Sequence, residues 1–513
     1  MLTKKTDPDG NAREDGVSNK FRISISEGGR EDLVAVATHS SCADDITNRF
    51  MTVVAPVIGA EQTSIDVGGA YFHGTPPTME QGGRRLYAVV PPWLADFGPY
   101  PERHSRGGRN LLLITGNMPG RCDAGRIWQA RFVSFLRGYG LRQCVTDRRV
   151  WSIRSARGVL VIHDHVDDSR LTSTTPEARS HFYRAWAAEF NSPPEPAQLS
   201  ENFTGLRHHP IGGRGVEISC LGVIRALEEL LLPYAPDPNM PHDVPLPADA
   251  LSRLREPPST KNPLVPLLLP EAQRIGGTIG FITNMVRCDS HFAYCVLSRH
   301  LNEGGLTALV FRLLLRVGRY LVSTKGLCLT VAAPASPEGS LNLFSVFSDS
   351  SHGNGPRGRS YGGYVLLCED PDATGEQQGR GALAWKCEAP ADTDDSSAGA
   401  ELKMIVRAVK YTIAARTLQR DLDLGIGPSK PTVIYTDAEA VINGTGAERM
   451  TKSSRWLATR YALLRWVDFC RIARTAKVGT EFNCGDIMTK CLTGPLFFRH
   501  RARVLGMAAA VGK

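Results

Sequence analysis

Apolar and polar positions along this chain fall into short runs that repeatedly end on a carboxylate. Val159-Leu160-Val161-Ile162 is β-branched and short, which predicts a buried strand leading into His163-Asp164-His165-Val166-Asp167-Asp168. Beyond Asp168 the pattern breaks into a polar Ser and Thr run that reads as a turn. Ser64-Ile65-Asp66 reads as a strand end followed by Gly68 and Gly69, with a capping aspartate as the alternative role for Asp66. Leu343 to Asp349 and Thr432 to Asp437 read as two more strands closing on an acid.

Helical spacing appears at Trp128, Phe132, Phe135 and Leu136, and again at Phe182, Trp186 and Phe190. Helices are also expected over 274–303 and 305–323, the second carrying Arg312, Arg316 and Arg319 on one solvated face. A long helix is expected from Ala398 to Leu418, with Glu401 in its first turn. Ser453 to Arg474 reads as basic and helical, and Gly485-Asp486-Ile487 as the start of a final helix. Residues 1–50 are polar with weak alternation and read as an edge hairpin or a disordered arm. Arg103 to Arg109 reads as a basic loop, and the proline-dense stretch 233–272 as a linker.

Length narrows the picture: 513 residues suit roughly three domains at about 150 residues each. A net charge of +8 is compatible with a polyanionic partner. The twelve cysteines contain no C-x-x-C pair, and the polar N-terminal stretch has no apolar core of a signal sequence, so a reducing, intracellular setting is expected. No stretch is long and apolar enough to cross a membrane. The one G-x-G-x-x-G match, Gly353 to Gly358, leads into an expected strand from Tyr361 and not into a helix, and no P-loop pattern is present, so a small-molecule enzyme built on a nucleotide fold is unsupported.

The acids carry the candidate chemistry. Asp66, Asp167 and Asp168 belong to the first part, and Asp349, Glu401, Asp437 and Asp486 to the second. Adjacent carboxylates repel unless a cation holds them, and Mg²⁺ suits hard oxygen ligands. Two ions about 4 Å apart can clamp an in-line phosphoryl displacement.

These residues also carry a resemblance. Asp66-Val67-Gly68-Gly69-Ala70-Tyr71-Phe72-His73-Gly74 resembles the D-V-K-x-A-F-L-x-G palm motif of copia-type retrotransposon reverse transcriptases. His165-Val166-Asp167-Asp168 resembles their Y-V-D-D box. Gly120, Ala124, Arg126 and Trp128 with Phe135-Leu136 are similar to L-Y-G-L-K-Q-A-P-R-x-W…F-L. The second part resembles the matching ribonuclease H. Phe347-Ser348-Asp349 stands at the family's S-D-A-D-W, Ser396 to Leu402 at S-S-x-E-A-E-Y, and Tyr435-Thr436-Asp437 at the D-N-x-x-A-I strand end. Val478 to Lys490 is similar to V-P-T-x-x-N-x-A-D-x-x-T-K. His165 stands where the family has tyrosine and Trp456 where it has histidine. The basic fingers stretch has no match in residues 1–50.

The resemblance implies an α/β (α+β) chain in four parts: truncated fingers or an arm over 1–50, palm and fingers over 51–232, linker and helical thumb or connection over 233–335, and ribonuclease H over 340–513. It implies an RNA-directed DNA polymerase with ribonuclease H activity. Asp66, Asp167 and Asp168 would hold one pair of Mg²⁺ ions, and Asp349, Glu401, Asp437 and Asp486 another, with Mn²⁺ as an alternative. Partners would be an RNA template, a DNA primer, an RNA–DNA hybrid and deoxynucleoside triphosphates. Tyr71 stands at the sugar-sensing aromatic position, with a core aromatic as its equal alternative. Arg126, Trp128 and the basic stretches 103–109 and 452–474 would line the nucleic-acid track. The rival expectation is a decayed retroelement remnant that folds and at most binds nucleic acid.

Overall fold

The computed structural model describes residues 43–66, 69–78, 81, 83, 86–89, 103–106, 109–165, 168–191, 202–211, 215–234, 243–255, 265–302, 305–333, 342–355, 358–369, 381–447 and 452–507, with the strand pairs 2–3 and 20–21. Its mixed α/β chain forms two compact units, one built mainly on residues 61–200 and the other on 44–60 and 201–513. The chain positions 232 and 335 therefore fall inside the second unit.

Strands β1 (Leu2–Thr3) and β2 (Lys20–Phe21) pair antiparallel. Most of the weak alternation expected in residues 1–42 lies outside the described residues. The polar-arm reading of 1–50 is corrected at its end, where helix α1 (Asp45–Val57) begins. The Asp44 side chain caps it by accepting the Ile46 N–H at 3.2 Å. The helix is buried from Ile46 to Ala55, because it lies in the core of the second unit.

In the first unit β3 (Glu61–Asp66) leads to a 3₁₀ turn over Ala70–His73. Strands β4 (Leu86–Val89), β5 (Arg103–Arg106) and β6 (Arg109–Ile114) form a separate antiparallel sheet in the order β4-β6-β5. The stretch read as a basic loop is thus part of a hairpin. Helix α2 (Ala124–Tyr139) stops at Gly140, whose φ of 97° is the left-handed conformation that terminates a helix at least cost. Strands β7 (Arg142–Gln143), β8 (Val150–Ser155), β9 (Gly158–His165) and β10 (Asp168–Ser173) join β3 in the antiparallel order β3-β10-β9-β8-β7. The Ser and Thr run after Asp168 is therefore no turn. It is β10, an inner strand whose residues 169–173 are buried and whose ladder bonds on both sides satisfy a backbone that apolar periodicity could not reveal.

Helix α3 (Pro176–Phe190) is capped by Thr175, whose Oγ accepts the Ala178 N–H at 3.1 Å, with Pro176 in the first turn. Its Phe182, Trp186 and Phe190 meet Trp128, Phe132 and Phe135 of α2 in the unit's core. Trp186 and Phe190 have ring centroids 4.8 Å apart, and Phe135 and Phe190 5.1 Å.

The second unit opens with β11 (Asn202–Phe203), β12 (Leu206–Ile211) and β13 (Gly215–Ser219), followed by α4 (Leu221–Leu231) and α5 (Ala250–Arg255). Helices α6 (Leu269–Met285), α7 (His291–Ser298) and α8 (Ala308–Ser323) precede β14 (Leu329–Ala332), which completes the sheet β11-β12-β13-β14. The expected linker thus contains α5 and the start of α6. The expected solvated basic face of α8 holds for Arg312, which is exposed, and is corrected for Arg316 and Arg319. Arg316 is buried and donates to the Val244 carbonyl at 3.2 Å, and Arg319 donates to the Tyr234 carbonyl at 2.9 Å. Both carbonyls lie within the proline-dense stretch, outside regular secondary structure, and each is satisfied by a guanidinium N–H.

Next come β15 (Ser345–Ser351), β16 (Tyr361–Leu367), β17 (Ala382–Glu388), α9 (Ser397–Asp421), β18 (Thr432–Thr436), α10 (Glu439–Gly446), α11 (Ala458–Phe469), β19 (Ala473–Lys477) and α12 (Gly494–Val504). The sheet order is β17-β16-β15-β18-β19, antiparallel on one side of β15 and parallel on the other. This is a mixed sheet accompanied by helices, the α/β architecture that the resemblance implies. Arg474, expected in a helix, lies on β19, because the basic stretch divides into a 3₁₀ segment, α11 and that strand. Asp486 sits in a 3₁₀ turn over Cys484–Met488, not in the final helix, which starts at Gly494.

Trp186 is fully buried at the centre of the aromatic core of the first unit. Trp186→Ala is expected to lower stability by about 3–5 kcal/mol in chemical denaturation followed by circular dichroism. A loss under about 1 kcal/mol would show that α3 does not hold this core.

Candidate metal centre

The central strand β15 places Asp349 two residues from its C-terminal end, and Asp437 follows directly on the last residue of β18. The two strands are parallel neighbours, with Phe347 opposite Tyr435, so Asp349 and Asp437 stand level at the carboxyl edge of the sheet. The 3₁₀ turn brings in Asp486. One ligand atom from each of Asp349, Asp437 and Asp486 lies within 4.8 Å of the others. Glu401 comes from the first turns of α9, whose start is fixed by Ser396 accepting the Gly399 N–H at 3.1 Å. Its Oε1 accepts the Ser350 N–H at 3.0 Å, which holds it beside Asp349.

Three further residues frame the acids. The buried Asn483 donates to the Ser348 carbonyl at 3.2 Å and to Asp437 Oδ1 at 3.3 Å, while its own Oδ1 accepts the Gly485 N–H at 3.1 Å. Thr489 donates its hydroxyl to Asp349 Oδ2. Lys490 reaches Asp349 Oδ1 at 3.3 Å and Asp486 Oδ1 at 2.8 Å. All three lie within the Val478–Lys490 motif, in which the resemblance gives a role to Asp486 alone. The signal was there, since Asn483, Thr489 and Lys490 lie three before, three after and four after Asp486.

Burial first, then the charges of Asp349 and Asp437, push the Glu401 carboxyl up to about 9. Burial and Asp349 push Asp486 up to about 7. Burial works against the charge of Lys490, yet Asp349 and Asp486 hold its ammonium above the ordinary lysine range. Glu401 Oε2 is buried and has no hydrogen-bond partner among the described residues. A buried oxygen without a partner, among hard carboxylate donors that repel one another, fits a Mg²⁺ or Mn²⁺ ion.

The acids of the first unit are placed by backbone register. Asp66 on β3 and Asp168 on β10 are directly opposed partners, and Asp168 is also opposite His165 of β9. The side chains of Asp66 and Asp168, and Asp167 entirely, lie outside the described residues. Tyr71 is half-buried and packs against the aromatic core. Arg126 lies partly exposed in the first turn of α2. Trp128 requires correction as a nucleic-acid contact. It is 1% exposed and stacks on Phe132 with centroids 5.6 Å apart, because its helical position faces α3 and not solvent.

No family model and no curated protein matches this chain. Among solved structures it is similar to the N-terminal ribonuclease H domain of a Mycobacterium tuberculosis protein, fused to maltose-binding protein, at 14% identity and TM-score 0.20, covering 28% of this chain and 89% of that one. It is also similar to a foamy viral protease–reverse transcriptase in complex with double-stranded DNA, at 14% identity and TM-score 0.19, covering 82% of this chain and 59% of that one. For native prototype foamy virus protease–reverse transcriptase the identity is 12% and the TM-score 0.20, covering 90% of this chain and 48% of that one.

The shifted acids set the sign of a pH dependence. Glu401 and Asp486 keep protons in the folded chain that the unfolded chain releases at about pH 4. Folding therefore takes up protons between about pH 4 and 9, and stability falls as pH rises through that window. Calorimetry in EDTA is expected to show Tm falling by about 5 °C or more across it. Millimolar Mg²⁺ is expected to restore more of the loss at the alkaline end than at the acid end. A Tm that Mg²⁺ leaves unmoved at both ends would remove the metal centre.

Proposed function

We propose that this chain is a Mg²⁺-dependent nucleic-acid enzyme of the copia-type retrotransposon kind, joining RNA-directed DNA synthesis to hydrolysis of the RNA strand of an RNA–DNA hybrid. The observation that carries the nuclease reading is the convergence of Asp349, Asp437 and Asp486 within 4.8 Å, with Glu401 beside them. Asp349, Glu401, Asp437 and Asp486 would hold the ions. When bound, these ions supply an activated water and stabilise the leaving oxygen of the cleaved phosphodiester.

The chain's own residues set the geometry. Asn483 fixes the Asp437 carboxylate to the backbone of β15, and Thr489 fixes that of Asp349. Lys490 offsets part of the negative charge without filling the site, so the acids stay close while the cluster is metal-free. A net charge of +8 favours a polyanionic substrate, whose affinity then falls as salt rises.

For the first unit we assign Asp66, Asp167 and Asp168 to the metals of DNA synthesis. An RNA template, a DNA primer and deoxynucleoside triphosphates are the reactants, and Tyr71 stands against the incoming sugar. The support is the register that opposes Asp66 to Asp168. Arg126 remains the residue of α2 assigned to the nucleic-acid track.

The test is cleavage of a labelled RNA–DNA hybrid with Mg²⁺, wild type beside Asp437→Asn. The wild type is expected to cut only the RNA strand, and the variant to retain less than about one hundredth of the rate. A folded wild type that cuts nothing would leave the chain as a retroelement remnant that at most binds nucleic acid. Primer extension on an RNA template, with Asp168→Asn as its control, tests the first unit by the same logic.

A further inference from the structure

A second site lies in the same unit as the acid cluster but apart from it. Phe347 and Asp349 project to one face of β15, and Tyr435 and Asp437 to the same face of the neighbouring β18. One row back from the acids, the face thus carries an aromatic pair, with ring centroids 4.9 Å apart and planes 22° apart. Asn483, bonded to Ser348 and Asp437, stands between the two rows. A cleft of about 500 Å³ is lined by the aromatic pair together with Glu369, Val478, Phe482, Arg499, His500 and Arg503. That volume lies within the range of small-molecule sites, roughly 300–1,000 Å³.

The walls are unlike an ordinary core. Arg503 lies over Phe347 with its guanidinium carbon 4.5 Å from the ring centroid, held there by Nη2, which donates to both Glu369 carboxylate oxygens at 3.0 and 2.9 Å, and by Nη1, which donates to the Phe482 carbonyl at 3.2 Å. Its other face is a rigid planar cation, a surface on which nucleobases stack. Phe482, 52% exposed, offers a second aromatic surface at the rim. Arg499 extends over Phe482 at 5.7 Å and makes no ion pair among the described residues. The Nε2 of His500 is buried in the cleft wall with no hydrogen-bond partner among the described residues. Burial, then Arg503 and Arg499, bring its pKa down to about 4, so near neutral pH it is an uncharged ring able to meet a base edge.

We propose that this cleft binds one nucleotide, its base stacked between the Arg503 guanidinium and Phe482, its edge toward His500, and its phosphate on Arg499. A flat ring with an anion attached is the chemistry that uses all four groups. The nucleotide could be free or the unpaired end of a strand. The inference does not depend on hydrolysis at the acid cluster.

Isothermal titration in EDTA, which removes metal bridging to the acids, tests the proposal with adenosine 5′-monophosphate, adenosine, and a short single-stranded oligoadenylate. Wild type is expected to bind one monophosphate or one oligonucleotide end per chain, with adenosine at least tenfold weaker. Phe482→Ala and Arg499→Ala change exposed side chains and are expected to weaken binding at least tenfold each, with unchanged circular dichroism. Asp437→Asn is expected to leave the affinity unaltered. Preference for the monophosphate would define a free-nucleotide site, and preference for the oligonucleotide a strand-end site; both uphold the proposal. Absence of binding by either phosphorylated probe, or binding lost in Asp437→Asn but kept in Phe482→Ala and Arg499→Ala, overturns it.

Discussion

Four carboxylates crowded into one buried corner are the constraint on which the second unit depends. Four full charges there would cost more than the surrounding packing could offset, since removing even one ion from water costs several kcal/mol. The chain answers in two ways. It raises the proton affinity of Glu401 and Asp486, whose burial and acidic neighbours make ionisation less favourable. It also brings in one ammonium, Lys490, against Asp349 and Asp486. A divalent cation held by these acids would displace their protons and share that load.

The delivery of those acids explains the local architecture. Asp349 and Asp437 come from neighbouring parallel strands, which fixes their spacing through backbone hydrogen bonds. Asp486 and Glu401 come from a 3₁₀ turn and a helix start, where the backbone can be adjusted without disturbing the ladder. The turn is held in place because Asn483 satisfies Gly485, Ser348 and Asp437 together. One amide thus ties three segments together, which makes Asn483 a positioning residue for the acids.

Much of this was legible in the sequence because the informative residues are local. The runs ending at Asp349 and Asp437 announce strands, and Ser396 with the small residues after it announces the helix carrying Glu401. Trp186 and its helical partners likewise announced the aromatic core of the first unit. What could not be read was set by partners distant in the chain. Ser169, Thr172 and Ser173 look like a loop, but lie in β10 because β3 and β9 pair with it on both sides. Arg316 and Arg319 look solvated, but bond to carbonyls over seventy residues away. Trp128 sits in a motif suggestive of ligand contact, yet helical phase turns it into the core.

The first unit shows how a site can depend on register. Asp66 and Asp168 face each other only while β3 and β10 keep their alignment, and a slip of one residue would send one acid to the opposite face of the sheet. No charged contact is needed to prevent that slip. Ile65 and Leu171 are buried in the same aromatic core as Trp186, and both would turn away from it if their strands shifted by one residue. The hydrophobic burial that stabilises the unit is therefore also what aligns its acids, so a mutation deep in the core can misplace the candidate chemistry without touching a carboxylate.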